Sequence, residues 1–243
     1  MAQVSPPKRR PGAATRRVSE PDEHPASHTD PTGPTELPDW ARAQREHLEP
    51  AIVGRFGVHP PWCRPVGRVQ VSIDPGPTFG HGSHPSTVLV LAELDQFGPE
   101  GRSVLDVGCG SGVLGICAAM AGAGSVVAVD VDPDAVAWTR FNAEANGVSL
   151  DASTAPVADL GGAFDLVLAN VLPSVHAELA ADLVRLTADG GTLVVSGIPE
   201  ERADEVAVLY VAVGAGELVP EHRNRFDGWT ALTFSKGGSK GGP

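Results

Sequence analysis

Val104-Leu105-Asp106-Val107-Gly108-Cys109-Gly110-Ser111-Gly112, followed one helix later by Val127-Ala128-Val129-Asp130, decides the reading of this chain. Residues 104–107 form a short apolar run of the kind a buried parallel strand needs, and the glycines after it let the backbone turn sharply and approach a ligand. Val113, Leu114, Ile116, Cys117 and Met120 then recur at helical spacing. One face of a helix starting near Gly112 therefore packs on a sheet, and its N-terminus faces the ligand. The next apolar run, residues 125–131, carries Asp130 at its end, placed to accept from both hydroxyls of a ribose. Together these features make a nucleotide-binding βαβ unit.

Two ligands compete for such a unit. Gly110, Gly112 and Gly115 satisfy G-x-G-x-x-G, which suits a nicotinamide or flavin dinucleotide. In that pattern the ribose acid lies roughly twenty residues past the turn, whereas Asp130 lies fifteen past Gly115. Asp106 adds a second argument, since a carboxylate just before the glycines attracts the ammonium of an amino-acid ligand and repels a pyrophosphate. Both features point to S-adenosylmethionine.

Downstream the alternation continues, with helices over 133–146, 175–186 and 199–213, strands over 164–169 and 192–197, and closing strands around 217–221 and 229–234. Strands separated by crossover helices pair in parallel, while the last two, joined by a short loop, run antiparallel. The predicted fold is α/β: a Rossmann-like, seven-stranded, mostly parallel sheet with a C-terminal antiparallel hairpin, the class I methyltransferase arrangement. Upstream, a helix over 39–47, an extended stretch over 55–59, a strand over 69–73 and a helix over 86–97 are expected, with Trp40, Leu48, Ile52, Val53, Phe56 and Trp62 available to pack. Residues 1–37, rich in Pro, Ser, Thr and charge, are expected to be disordered. The expected division is then 38–73 as a linker with helix and strand packing on the core, 74–235 as the catalytic domain, and 236–243 as a flexible tail.

The chain has 243 residues, 42% of them hydrophobic, and no apolar run approaches the roughly eighteen residues of a membrane span. The basic N-terminus, with Arg9, Arg10, Arg16 and Arg17, has no apolar stretch behind it, so no secretory or twin-arginine signal is expected. Cys63, Cys109 and Cys117 lack metal-ligand spacing and suit a reducing cytoplasm as small buried or half-buried side chains. Residues 70–235 hold 22 acids against six Arg and no Lys. Such a body repels a phosphate backbone and attracts basic protein segments, so the expected partner is a basic protein, with no direct nucleic acid and no membrane. The absence of Lys between residues 9 and 235 also excludes a P-loop lysine and a Schiff-base lysine.

Two further segments narrow the site. Asp74-Pro75-Gly76-Pro77-Thr78-Phe79-Gly80-His81-Gly82-Ser83-His84-Pro85-Ser86-Thr87 is a turn-rich loop entering a helix. Phe164-Asp165-Leu166-Val167-Leu168-Ala169-Asn170-Val171-Leu172 puts an amide at the C-terminal end of a strand, where open α/β sheets hold ligands. With these motifs the chain, from Asp39-Trp40 through Trp62 to Phe234, resembles the PrmA family, the bacterial methyltransferases of a large-subunit ribosomal protein. That family carries D-P-G-x-x-F-G-T-G-x-H-P-T-T, G-C-G-S-G, an acid ending the next strand, and A-N-I-L, in this order. The resemblance implies Thr87, Gly108, Asp130 and Asn170 as contacts of S-adenosylmethionine. The residue chemistry agrees: Asp130 holds the ribose, the turn backbone at Gly108 and Gly110 approaches the methionine and sugar, Thr87 helps close the loop, and Asn170 faces the reacting centre. A strand-end cap for Asn170 and a helix N-terminal hydroxyl for Thr87 are the purely structural alternatives.

The sulfonium is already an activated methyl donor, so transfer to an amine mainly requires positioning, exclusion of water and loss of the amine's proton. Asn170 is the expected catalytic residue, accepting a hydrogen bond from the amine through its carbonyl oxygen. His81 and His84 are either hydrogen-bonding residues of the loop or acceptors of that proton. With no third ligand at suitable spacing they do not suggest a metal site. The expected function is an S-adenosylmethionine-dependent N-methyltransferase of a protein lysine or terminal amine, similar to the ribosomal-protein methyltransferases. Methylation of another protein or a small amine, and a non-catalytic cofactor-binding scaffold, are the alternatives. Full-length members of the resembled family begin with a separate domain that captures the ribosomal protein, whose place residues 1–37 are expected to take here. His81 stands where the family has Thr, and Pro77 and Thr78 replace its small or apolar pair.

Overall fold

The computed structural model describes residues 33, 37–45 and 47–237, so the expectations of N-terminal disorder and of a flexible tail lie almost wholly outside the described residues. The first helix and small sheet comprise α1 (Asp39–Arg45), β1 (Ala51–Val53), β2 (Phe56–His59) and β3 (Val69–Ser72). Then follow α2 (Pro85–Phe97), β4 (Ser103–Val107), α3 (Val113–Met120), β5 (Ser125–Val129), α4 (Pro133–Ala145) and β6 (Asp151–Ser153). The chain continues through β7 (Phe164–Asn170), α5 (Pro173–Leu186), β8 (Thr187–Pro199), α6 (Ala203–Val213), β9 (Leu218–Phe226) and β10 (Trp229–Lys236).

The main sheet has seven strands in the order β6-β5-β4-β7-β8-β10-β9. The neighbours from β6 to β8 are parallel, and β10 is antiparallel to both β8 and β9. This is the α/β class I methyltransferase fold with the expected C-terminal hairpin. Alternation along the central strands divides the apolar side chains between two faces. Val104, Leu166, Leu168 and Val194 face α2 and α3. Leu105, Val107, Val167, Ala169, Leu193 and Val195 face α5 and α6. The chain leaves β4 towards β5 on one side and later returns to β7 on the other, so the crevice beyond the C-terminal ends of β4, β5 and β7 is the topological switch point.

Residues 51–72 build a second, three-stranded sheet in the order β1-β2-β3, with β1 antiparallel and β3 parallel to β2. Its Val53, Phe56, Val58 and Val71, with Ile73, join the core on the α2 and α3 side. Trp40, Ile52 and Trp62 do not pack as expected; they are 58%, 65% and 41% exposed. Helix α1 instead buries Ala41, and Arg45 lies over the Trp62 ring at 4.8 Å, which keeps that indole at the surface.

The remaining differences are local. Strand β6 was not anticipated, because in Asp151-Ala152-Ser153 Ala152 is the one apolar residue. Strand β8 begins at Thr187, directly after α5, and not at 192. Helix α6 starts at Ala203, because Pro199 is extended and a 3-10 turn over Glu200–Arg202 intervenes. Strand β9 runs to Phe226, since the two residues before β10, Asp227 and Gly228, both adopt positive φ (47° and 77°), the twist that matches a two-residue hairpin. Lys236 ends β10 and donates to the carbonyls of Val184 and Thr187 at 2.9 and 3.0 Å.

Candidate functional site

The glycine turn leaves β4 with Gly108, Gly110 and Gly112 at φ 73°, 55° and 83°, a left-handed conformation that side chains resist. Space forbids side chains as well. A Cβ on Gly108 would lie 2.6 Å from Val171 Cγ1, and one on Gly110 2.4 Å from the Phe79 carbonyl oxygen. The N–H groups of Gly108 and Cys109 donate to Val129 O at 2.8 and 3.1 Å, which fixes the turn on the end of β5. One residue on, Asp130 accepts from Gly110 N–H at 3.0 Å through Oδ2 and from Asp132 N–H at 3.1 Å through Oδ1. Each oxygen keeps lone-pair capacity for a ribose hydroxyl.

Asp106 lies beneath this turn, fully buried. Its Oδ2 accepts from Gly115 N–H at 2.9 Å, and its Oδ1 has no partner among the described residues. Burial, reinforced by the nearby Asp130 charge, pushes its carboxyl up to about 7. An orphaned carboxylate oxygen under a turn too tight for any Cβ suits a ligand that brings a compact cation against backbone. These residues fit S-adenosylmethionine in that respect.

The loop over residues 74–87 closes on the turn from the other side. Ser111 N–H donates to Phe79 O at 2.9 Å, and Ser111 Oγ donates to Gly80 O. The loop ends in His84, which caps α2: its Nδ1 accepts from Ser86 N–H at 3.3 Å and lies 2.9 Å from Ser86 Oγ. His84 packs edge-on between Phe79 and Trp229, both ring centroids 4.9 Å away. Trp229 reaches this point because it pairs with Pro199, at the ligand end of β8. Burial lowers the proton affinity of both His81 and His84, and each loop imidazole is held neutral at neutral pH.

One turn into α2, the buried Thr87 accepts through Oγ1 from Asn170 Nδ2 at 3.3 Å. Asn170 ends β7, and the next residue is held from both flanks. Val171 N–H donates to Ser196 O at 3.2 Å, and a Cβ on Gly197 would lie 2.2 Å from Val171 O. Behind it, His176 bridges Tyr210 Oη and Ser196 O, both at 3.0 Å. Burial drops that imidazole to about 4, so it is neutral: Nε2 donates to the carbonyl and Nδ1 accepts from the phenol.

The structure therefore brings the five sequence-predicted site residues to one crevice. Gly110 and Asp130 are hydrogen-bonded, Thr87 and Asn170 are hydrogen-bonded, and Gly108 stands between the pairs, its Cβ direction 3.7 Å from Asn170 O. Sequence reasoning missed Trp229, which lies far along the chain and carries no local signal. It also missed Ser111 as the link between turn and loop, although its place inside the glycine run was a hint. Cys109 is buried, accepts from Thr139 Oγ1 at 3.3 Å, and has its thiol pushed up by burial, so it stays protonated. Among the described residues no group of three His, Cys, Asp or Glu is placed to hold a metal, and no helix is long and apolar enough to cross a membrane.

Comparison with known proteins gives one family. The family model described as ribosomal protein L11 methyltransferase (PrmA) matches residues 19–237. The ribosomal protein L11 methyltransferase of Geobacter metallireducens is 41% identical over 203 residues, which are 82% of this chain and 67% of that protein. Among solved structures, the ribosomal protein L11 methylase from Lactobacillus delbrueckii subsp. bulgaricus superimposes with a TM-score of 0.70 at 26% identity, covering 78% of this chain and 100% of that one. The N-methyltransferase NodS from Bradyrhizobium japonicum WM9, solved with S-adenosyl-L-homocysteine, shares the fold at a TM-score of 0.51 and 15% identity, over 63% of this chain and 89% of that one.

Proposed function

The chain belongs to the ribosomal protein L11 methyltransferase family, S-adenosylmethionine-dependent protein methyltransferases, and from that premise we propose that it methylates amines of ribosomal protein L11 at the crevice beyond β4, β5 and β7. One observation carries the assignment of roles: the Asn170 Nδ2 bond to Thr87 Oγ1, beside the turn that Asp130 holds. With its nitrogen committed to Thr87, the Asn170 amide has a fixed orientation, and its carbonyl oxygen is the atom left to accept from an incoming amine.

When bound, S-adenosylmethionine supplies an activated methyl group on a sulfonium, and the protein supplies position and dryness. Asp130 holds the ribose hydroxyls. The backbone at Gly108 and Gly110 takes the sugar and methionine, and Asp106 balances the ammonium. Phe79, His84 and Trp229 form an aromatic wall that shields the acceptor's stem from water, while Asn170 aims the amine lone pair. Residues 74–235 carry all these groups and are the catalytic unit. The surplus of acids over Arg in residues 70–235 attracts a basic protein acceptor, and a ribosomal protein substrate places the reaction in the cytoplasm.

The test is methyl transfer from labelled S-adenosylmethionine to purified L11. Asn170→Ala should cut kcat by about a hundredfold through misplacement of the amine, and weaken cofactor binding less than Asp130→Ala does. Turnover should also fall with added salt, since the Debye length is about 8 Å at physiological ionic strength. Undiminished kcat in the variant would remove Asn170 from the chemistry, and salt-independent turnover would remove the charge argument for the acceptor.

A further inference from the structure

Asn142 on α4 and Asn146, which caps its C-terminus, pair with the chain at and just past the end of β3 as a neighbouring strand would. Asn146 accepts from Ser72 N–H at 2.8 Å and donates to Ser72 O at 2.7 Å. Asn142 accepts from Asp74 N–H at 3.0 Å and donates to Asp74 O at 2.8 Å. The spacing explains the match: four helical residues advance about 6 Å and two extended residues about 6.6 Å, so amides one turn apart meet alternate peptide groups.

The two differ in where the second N–H goes. Asn146 donates it back to Asn142 O, in the last turn of α4, at 2.7 Å. Asn142 donates it out of the helix to Ser111 O, in the glycine turn, at 2.8 Å. Ser111 is the residue whose N–H and hydroxyl hold Phe79 and Gly80 of the 74–87 loop. The Asn142 amide is 1% exposed and has every donor and acceptor engaged, so it closes a ring through the start of the loop, the glycine turn and α4. Asp74, two residues past β3, is itself paired with Arg45 of α1.

We propose that Asn142 is a positioning residue for S-adenosylmethionine: its amide sets the glycine turn against the 74–87 loop, so that both walls of the cofactor site hold their spacing before the cofactor arrives. The inference rests on the proposed reading of that crevice. Without the Asn142 amide, Ser111 O and the Asp74 peptide lose their partner, while Asn146 still ties α4 to β3. The helix stays in place and the turn loosens.

Asn146 provides the control, a half-buried fork of the same chemistry that does not touch the turn. In the full chain, Asn142→Ala is expected to raise the Kd of S-adenosylmethionine about tenfold by titration calorimetry, and its KM in parallel, with kcat at saturation within about twofold. Asn146→Ala is expected to lower Tm by a similar amount and leave Kd unchanged. Equal Kd shifts in both variants, or no shift in Asn142→Ala, would overturn the proposal. If Asn142→Ala does not fold, Asn142→Asp keeps the shape and the acceptor for Asp74 N–H and loses both donors. It should show the same rise in Kd, and an unchanged Kd would again overturn the role. Asp130→Ala, measured alongside, separates the two readings. Lost affinity there with none lost at Asn142 overturns the positioning role alone, whereas no loss in either variant brings down the cofactor site itself.

Discussion

The seven-stranded and three-stranded sheets are held in place by different forces. The large sheet sits between two apolar layers and takes its register from backbone ladders and from side chains such as Leu105, Leu166 and Val194, all fully buried. The small sheet covers its core with Phe56, Val58 and Val71 but leaves Ile52 65% exposed, and polar contacts add to its attachment at both ends. Arg55 grips Asp95 and Glu100 at one end, while Asn146, Asn142 and Arg45 grip Ser72 and Asp74 at the other. Of these contacts, those of Asn142 and Asp74 are buried and costly to break, because the group left behind stays out of water with a partner lost, whereas Arg55, Asp95 and Glu100 remain partly exposed.

The contrast is most exposed to test at Arg45. Its partner Asp74 has a side chain only 1% exposed, so Arg45→Ala should lower the unfolding free energy by about 3 kcal/mol in urea titrations. A loss no larger than the roughly 0.5 kcal/mol of an ordinary surface change would mean that apolar contact alone seats the small sheet. The counterpart beside the large sheet is Asp130, half-buried at the rim of the crevice. Asp130→Ala should weaken S-adenosylmethionine binding by about 2 kcal/mol, roughly thirtyfold, with a smaller stability loss than Arg45→Ala. Unchanged affinity would end the ribose assignment.

The smallest effect is expected at Asp106, where the large sheet carries a buried polar group that the small sheet would have paired. Its carboxyl is raised from 3.8 to about 7, so between those values the folded chain holds a proton that the unfolded chain has released. Stability therefore falls as pH rises through that window, and the penalty is fully present above it. Asp106→Asn should raise Tm by roughly 3 °C near pH 8 and change it little near pH 4, while weakening cofactor binding. A Tm difference that does not vary with pH would show that Asp106 carries no such penalty.

The parts legible in the sequence are those with local periodicity. The apolar runs of β4, β5 and β7, the three glycines, and Asp130 and Asn170 at strand ends were all readable, because strand, turn and strand end are short-range features. Strand β6 was not, since a three-residue edge strand of Asp, Ala and Ser has no apolar alternation to show. The exposure of Trp40 and Trp62 was hidden for the opposite reason: large aromatics suggest burial, and the Arg45 stack accounts for Trp62, while nothing in the structure explains Trp40. The polar attachments of the small sheet join residues 68 and 74 positions apart, and nothing local announces them. Asn142 and Asn146, one helical turn apart at the end of α4, form a visible pattern whose partner is not.

The hairpin of β9 and β10 bears on the order in which the molecule assembles. Strand β10 lies between β8 and β9, so β9 reaches the rest of the sheet only through it. The turn at Asp227 and Gly228 favours local pairing of β9 with β10, an event of about 1–10 μs in hairpins. The pairing of β10 with β8 is also what brings Trp229 beside His84, so the aromatic wall is complete only once that pairing has formed. Changes at Asp227 or Gly228 should then register as slow maturation of enzyme activity after dilution from denaturant, even where the finished protein is unaltered.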